Sequence, residues 1–183
     1  MPLRMARKGR RGTEVKDRDM EYPYFPVFID LSGKKVVVIG AGRIAARRIR
    51  TLLDFGPDIT VVAPEISGEL RQEETAGRLC IREREFREED LDGAALVLTA
   101  TGDDSLNTLV CRLCRERHIP VNNAGNQADC DFFFPGIARR GDLVAGVTAS
   151  GRDHRKARLA TEAIREVLRE REELAWNADE SER

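Results

Sequence analysis

Gly40-Ala41-Gly42-Arg43-Ile44-Ala45 has the spacing G-x-G-x-x-[G/A], in which a loop of bare amides can cradle a diphosphate. Gly40 permits a tight turn. Gly42 puts no side chain between the backbone and a pyrophosphate, and Ala45 is small enough for a helix to pack close to a strand. A helix starting here would offer unpaired N–H groups and a positive dipole end to an anion. A second concentration of chemistry lies at Arg152, His154, Arg155, Lys156 and Arg158. Cations in the first turn of a helix oppose its dipole unless an anion joins them, so this cluster reads as a site for a polyanion, with a solvated face as the plainer alternative.

Two further segments belong to the first site. A ribose-holding acid usually follows the glycines by about 20 residues. Here Pro64-Glu65 stands just beyond an apolar run, so the contact can come from Glu65 or from the Pro64-Glu65 backbone, unless Glu65 is only a solvated loop acid. No Arg or Lys follows until Arg71 to grip a 2′-phosphate, which favours NAD over NADP. Thr101, in Thr99-Ala100-Thr101-Gly102-Asp103-Asp104-Ser105, lies among small residues that allow a nicotinamide to approach, while Asp103, Asp104 or Ser105 can cap a helix. Cys111-x-x-Cys114 falls inside an amphipathic helix with no second pair, so core packing is preferred to metal or redox chemistry.

These residues need elements to position them. An apolar β-branched run at residues 34–40 reads as a strand, followed by a helix at 42–55 that Gly56-Pro57 ends. Further strands are expected at 58–64, 79–86 (nearer an edge), 94–101 and 119–122, with a helix at 105–117. Such alternation predicts an α/β fold, a Rossmann-type parallel sheet whose strand ends at Gly40, Pro64 and Thr101 share the ligand edge. After residue 123 the grammar changes. Runs at 132–138 and 143–148, split by Arg139-Arg140-Gly141-Asp142, read as an aromatic-rich β-hairpin that must pair with a subunit or dock on the sheet. A helix over 153–176 follows. The expected organisation is a disordered basic tail at 1–21, a dinucleotide domain at 22–123, a hairpin dimerisation segment at 124–150 and a helical segment at 151–183.

Composition bounds the rest. The chain has 183 residues, with 31 basic and 32 acidic side chains, so its charge makes no case for nucleic acid or an anionic membrane as partner. The basic start lacks interleaved aromatics, which disfavours a nucleic-acid arm, and it lacks the apolar core of a secretory signal. No apolar run approaches the ~20 residues of a membrane span. A cytoplasmic protein with reduced thiols is expected.

From about residue 24 to 168 the chain resembles the precorrin-2 dehydrogenases, including the bifunctional precorrin-2 dehydrogenase/sirohydrochlorin ferrochelatases of siroheme synthesis. The resemblance rests on Phe25-Pro26-Val27-Phe28-Ile29-Asp30-Leu31, the glycine turn, Val61-Val62-Ala63-Pro64, Ala100-Thr101 through Asn107, Val121-Asn122 and Cys130-Asp131-Phe132-Phe133-Phe134-Pro135. It implies a homodimer that oxidises precorrin-2 to sirohydrochlorin with NAD⁺, some members also inserting Fe²⁺. Cofactor contacts would fall at Gly40, Gly42, Arg43, Ile44, Pro64 and Glu65, and the basic cluster would face the substrate's eight carboxylates. Two departures stand out. Gly125 occupies the position of the family's aspartate, for which Asp131 is the candidate substitute, unless it only caps the turn before the aromatic run. Ala149-Ser150-Gly151-Arg152-Asp153-His154-Arg155 replaces the family's Ser-x-Gly-Gly-x-Ser-Pro stretch, so substrate grip is expected to differ. The metal ligands stay unknown. The rivals are a non-catalytic NAD-binding regulatory module and a tetrapyrrole carrier.

Overall fold

Five short, strongly apolar segments build the sheet on which everything else rests. In the computed structural model, residues 24–170 are described. The expected tail at 1–21 and the end of the last helical segment, with Trp176, lie outside them. The strands are β1 (Lys35–Ile39), β2 (Asp58–Ala63), β3 (Cys80–Glu83), β4 (Leu96–Thr99) and β5 (Val121–Asn123), all parallel, in the order β3-β2-β1-β4-β5. The helices α1 (Arg43–Leu53), α2 (Gly68–Thr75) and α3 (Asp104–Glu116) make the crossovers together with short 3₁₀ turns. The chain leaves β1 to build outward on one side and returns to β4 on the other, so the crevice of the switch opens above the end of β1.

Strand side chains alternate between two cores. Val36, Val38, Val61 and Leu98 meet Ala45, Ile49 and Leu52 of α1 on one face. Val37, Ile39, Val97 and Val121 meet Val110, Cys111 and Cys114 of α3 on the other. Burial on both faces is why the strands read as continuous apolar runs. Cys111 and Cys114 are core residues, as their spacing implied. Burial pushes both thiols up to about 12, which leaves them inert as thiolates.

Three elements differ from the sequence reading. Helix α2 was not expected, because only Leu70 and Glu73 turn inward and no apolar stripe marks it. Strand β3 is cut to four residues, since its far end bends to bring Arg84 onto Asp90. The hairpin starts at β6 (Gly136–Arg140) and pairs antiparallel with β7 (Leu143–Val147), so 132–135 is not strand. Pro135 has no N–H for a ladder, and Phe132 and Phe134 pack instead against the α1-side core. The last helix, α4 (His154–Glu170), covers β6. Gly136 lies so close to Thr161 that a Cβ would collide with its side chain, and Arg165 donates from Nε and Nη2 to Ile137 O at 3.0 and 2.6 Å.

Candidate cofactor cleft and cationic cavity

The glycine turn follows β1 at the carboxyl edge of the sheet. Gly40 sits at φ +104°, and a Cβ there would lie 2.6 Å from Ala100 O, so both its backbone angle and its neighbour demand glycine. Its amide donates to Val62 O at 2.9 Å, tying the turn to β2. Gly42 is the N-cap of α1 but supplies no side-chain cap, no acid lies in the first turn, and a Cβ at Gly42 would meet nothing within 4 Å. The start of α1 is therefore an uncompensated positive dipole end with open space above it, a cradle that fits a diphosphate. Arg43 and Ile44 are exposed at its rim, and Pro64 and Glu65 are exposed just beyond β2 on the same edge.

Thr101 follows β4 at that edge and belongs to a hydrogen-bonded knot. Asn107, fully buried on α3, accepts from Thr99 Oγ1 at 2.5 Å and from Thr101 Oγ1 at 2.8 Å. Asp103 caps α3 by accepting from Ser105 N and Leu106 N at 2.8 and 3.1 Å. That answers the capping question: Asp103 caps, and the side chain of Asp104 in the next position accepts no hydrogen bond among the described residues. Its Oδ1 would lie 3.4 Å from a Cβ placed on Gly125, so this carboxylate borders the space that glycine leaves open.

Asp131 lies elsewhere. Its Oδ2 accepts from Val121 N at 3.1 Å and its amide donates to Val121 O at 2.9 Å. Val121 begins β5, at the end of the strand away from the ligand edge, and the side chain fastens the loop there. The capping role is the one this geometry gives Asp131.

A cavity of about 860 Å³ opens between α1, the hairpin and α4, reaching Ala124 at the carboxyl edge. Ile44, Arg47, Arg48 and Thr51 face it from α1, Phe133 to Ile137 wall one side, and Arg139, Arg158 and Arg165 add charge. Five arginines and His154 line it against two acids, Asp54 and Asp153. Of the sequence-derived basic cluster, His154 and Arg158 reach the cavity, whereas Arg152, Arg155 and Lys156 do not. Lys156 pairs with Asp153 at 3.5 Å, and Asp153 also accepts from Lys156 N at 2.9 Å. Those contacts hold its carboxyl below the usual range, so the start of α4 already has an acid. Arg47 and Arg48 stand in the Ala-Arg-Arg of the helix after the glycine turn, part of the family resemblance, but neither they nor Arg139 and Arg165 were assigned to a site from the sequence. The α1 pair had a signal in Arg47, Arg48 and Thr51, polar residues at i, i+1 and i+4 on the face of α1 away from the buried Ala45, Ala46, Ile49 and Leu52.

This is the frame of an NAD(P)-binding α/β protein, and residues 27–136 match the family model described as putative NAD(P)-binding. The chain is 38 % identical over 158 residues to a probable multifunctional siroheme biosynthesis protein HemA of Ruminiclostridium josui, covering 85 % of this chain and 31 % of that protein. It is 39 % identical over 145 residues to a siroheme synthase of Photorhabdus laumondii, covering 79 % and 31 %. The solved structure of SirC, a precorrin-2 dehydrogenase, superposes with a TM-score of 0.63 at 33 % identity, over 81 % of this chain and 71 % of that one. The chain belongs to the precorrin-2 dehydrogenase/sirohydrochlorin ferrochelatase family. It spans about a third of the length of the curated relatives it matches. No helix among the described residues is long and apolar enough to cross a membrane, and no three His, Cys, Asp or Glu side chains among them group as a metal site.

Proposed function

We propose that this chain oxidises precorrin-2 to sirohydrochlorin with NAD⁺ as hydride acceptor, in the cytoplasm. The observation that carries this reading is the meeting of two unlike sites. An uncapped glycine turn fit for a diphosphate lies on the same sheet edge that an arginine-rich cavity reaches at Ala124. NAD⁺, when bound, supplies the acceptor for the hydride. The chain's residues hold the pyrophosphate on the Gly40–Ile44 amides, seat the adenosine ribose by Pro64 and Glu65, and leave room for the nicotinamide beside Thr101. NAD is favoured over NADP because Arg71, the first cation after β2, is held by Glu83 at 2.5 Å.

Loss of a hydride from the reduced macrocycle must be matched by loss of a proton. Asp104 is the group we assign to take it. Its carboxylate takes no partner among the described residues and stands over Gly125 at the ligand edge, whereas the carboxylate of Asp131 accepts from Val121 N. The cavity arginines and His154 would hold the carboxylates of the substrate. Of the described residues, those up to 123 act as the cofactor unit in this reading, 124–150 as the dimerisation segment and 151–170 as the helical segment. A homodimer is supported by the apolar run Phe25–Ile29, in which Phe25 is 86 % and Phe28 71 % exposed among the described residues. Fe²⁺ insertion into the product has less support, since Gly125 supplies no carboxylate for the metal.

The test is anaerobic mixing of purified protein with NAD⁺ and freshly generated precorrin-2, following NADH absorbance and the sirohydrochlorin spectrum. NADH formed in step with sirohydrochlorin is expected. NAD⁺ binding with no NADH would overturn the dehydrogenase reading, and tight binding of the tetrapyrrole without turnover would favour a carrier, a reading Gly125 makes specific.

A further inference from the structure

Arg48 is a cation without a counter-charge in the described structure. It sits half-buried on α1, and burial lowers its pKa from the usual guanidinium value. Its Nη1 donates to Asn122 Oδ1 at 2.6 Å, and its Nε is sealed from solvent with no acceptor. The guanidinium lies 5.4 Å from the centre of the Phe134 ring. No carboxylate pairs with it among the described residues, although most arginines around it have found one or a backbone carbonyl. Arg158 reaches Glu162 at 3.9 Å, Arg139 donates to Asp54 O at 2.8 Å, and Arg165 bonds Ile137 O. A half-buried guanidinium with most of its five donors idle is costly unless an anion completes it.

The chain also invests in fixing this group. Asn122, itself 2 % exposed, is held by donating to Phe132 O at 2.7 Å and to Cys130 Sγ at 3.4 Å, and it presents its carbonyl oxygen to Arg48. The aromatic loop and β5 thus lock one edge of the guanidinium, and the other part faces the cavity beside Phe134. A planar fork held against an aromatic ring is suited to a carboxylate carried on a flat apolar framework.

We propose that Arg48 is the specificity anchor of the cavity, binding one carboxylate side chain of the tetrapyrrole whose ring rests on Phe134. This rests on the substrate class assigned above and adds which residue selects it. A second source of the same chemistry is an acid from another copy of the chain, and the test separates the two.

The full-length chain is titrated with sirohydrochlorin, followed by the pigment's absorbance, and separately with NAD⁺. Arg48→Met keeps the stem and removes the charge. It is expected to weaken sirohydrochlorin binding about tenfold or more, the size of a charge-assisted hydrogen bond. NAD⁺ affinity should stay unchanged, which also reports that the variant is folded. Arg48→Lys, a milder change, should fall between, because an ammonium keeps the charge but loses the fork. Equal sirohydrochlorin affinity in wild type and both variants would overturn the proposal. So would a change of oligomeric state on sedimentation with ligand affinity intact, which would assign Arg48 to an acid from a second copy. Wild-type protein that binds NAD⁺ but not sirohydrochlorin would overturn this inference and the substrate reading together. Wild-type protein that binds both without turnover would overturn the dehydrogenase reading alone.

Discussion

The glycine turn and the arginine cavity are built in opposite ways. The turn is backbone: six consecutive residues, one positive φ, and amides aimed into open space by the end of a strand. The cavity is side chain: α1, the aromatic loop, β6 and α4 each contribute a few groups across more than a hundred residues of sequence. A backbone site depends on conformation and tolerates almost any neighbour that keeps glycine in place. A side-chain site depends on packing, so its members are defined only once the helices are docked.

The largest expected effect probes the point where the two regions meet. Asp104→Asn should reduce kcat for NAD⁺-dependent oxidation by roughly 10²- to 10⁴-fold, the usual worth of a positioned proton acceptor, with NAD⁺ affinity intact. Asp131→Asn should leave kcat near wild type and cost about 1 kcal/mol in denaturant unfolding, because it only weakens a bond to Val121 N. The reverse result would return the proton transfer to Asp131.

Next in size, Gly40→Val breaks the backbone site. A side chain there meets Ala100 O and needs a forbidden φ, so NAD⁺ affinity should fall by at least about 100-fold while sirohydrochlorin affinity changes little. Equal loss of both ligands would mean that the two regions are not separable.

A carboxylate far from both sites gives a control for general destabilisation. Asp90 is 1 % exposed and takes Arg82 at 2.7 Å and Arg84 at 2.6 Å, and Arg84 beside it holds its carboxyl well below the usual range. Both arginines are partly open to water, so Asp90→Asn should cost about 1–3 kcal/mol at pH 7. A depressed folded pKa stabilises above the unfolded value and is lost as pH falls. The gap between wild type and variant in thermal unfolding should therefore close below about pH 4. NAD⁺ affinity at a temperature where the variant is folded should not move.

The smallest effects divide the basic cluster of the last helix. Arg158→Glu, on the cavity wall, should raise the apparent KM for precorrin-2 about tenfold, the worth of one charged contact. Arg155→Glu, outside the cavity, should stay within about twofold, as for an exposed charge. Identical values for the pair would mean that the cluster acts through its field and not through contacts.

The strand–turn–helix unit was legible because its signals are local. A β-branched run, two glycines and an i, i+3, i+4 apolar stripe each act within a few residues, and each forces one backbone outcome. The same holds for the core role of Cys111 and Cys114, whose place on the α3 stripe is set by helical period alone. Helix α2 was illegible because only Leu70 and Glu73 turn inward. The three phenylalanines misled for a related reason: aromatic residues favour strands, but Pro135 denies the ladder a donor, Phe132 and Phe134 pack against the α1-side core, and Phe133 meets Tyr24 edge to face.

The order of residues along the chain was enough to determine a parallel α/β sheet with an anion-binding turn at its edge, since short-range sterics and apolar periodicity settle both. Only the tertiary structure decided which charges converge. Arg48 and Arg158 are 110 positions apart in sequence, and they line one cavity because α4 docks on the hairpin, Arg139 of the hairpin reaches Asp54 O at the end of α1, and Phe134 of the aromatic loop lies against Arg48. It likewise separated Asp131 from the ligand edge and set Asp104 over Gly125. Such distances are consequences of packing, which no spacing along a single chain encodes.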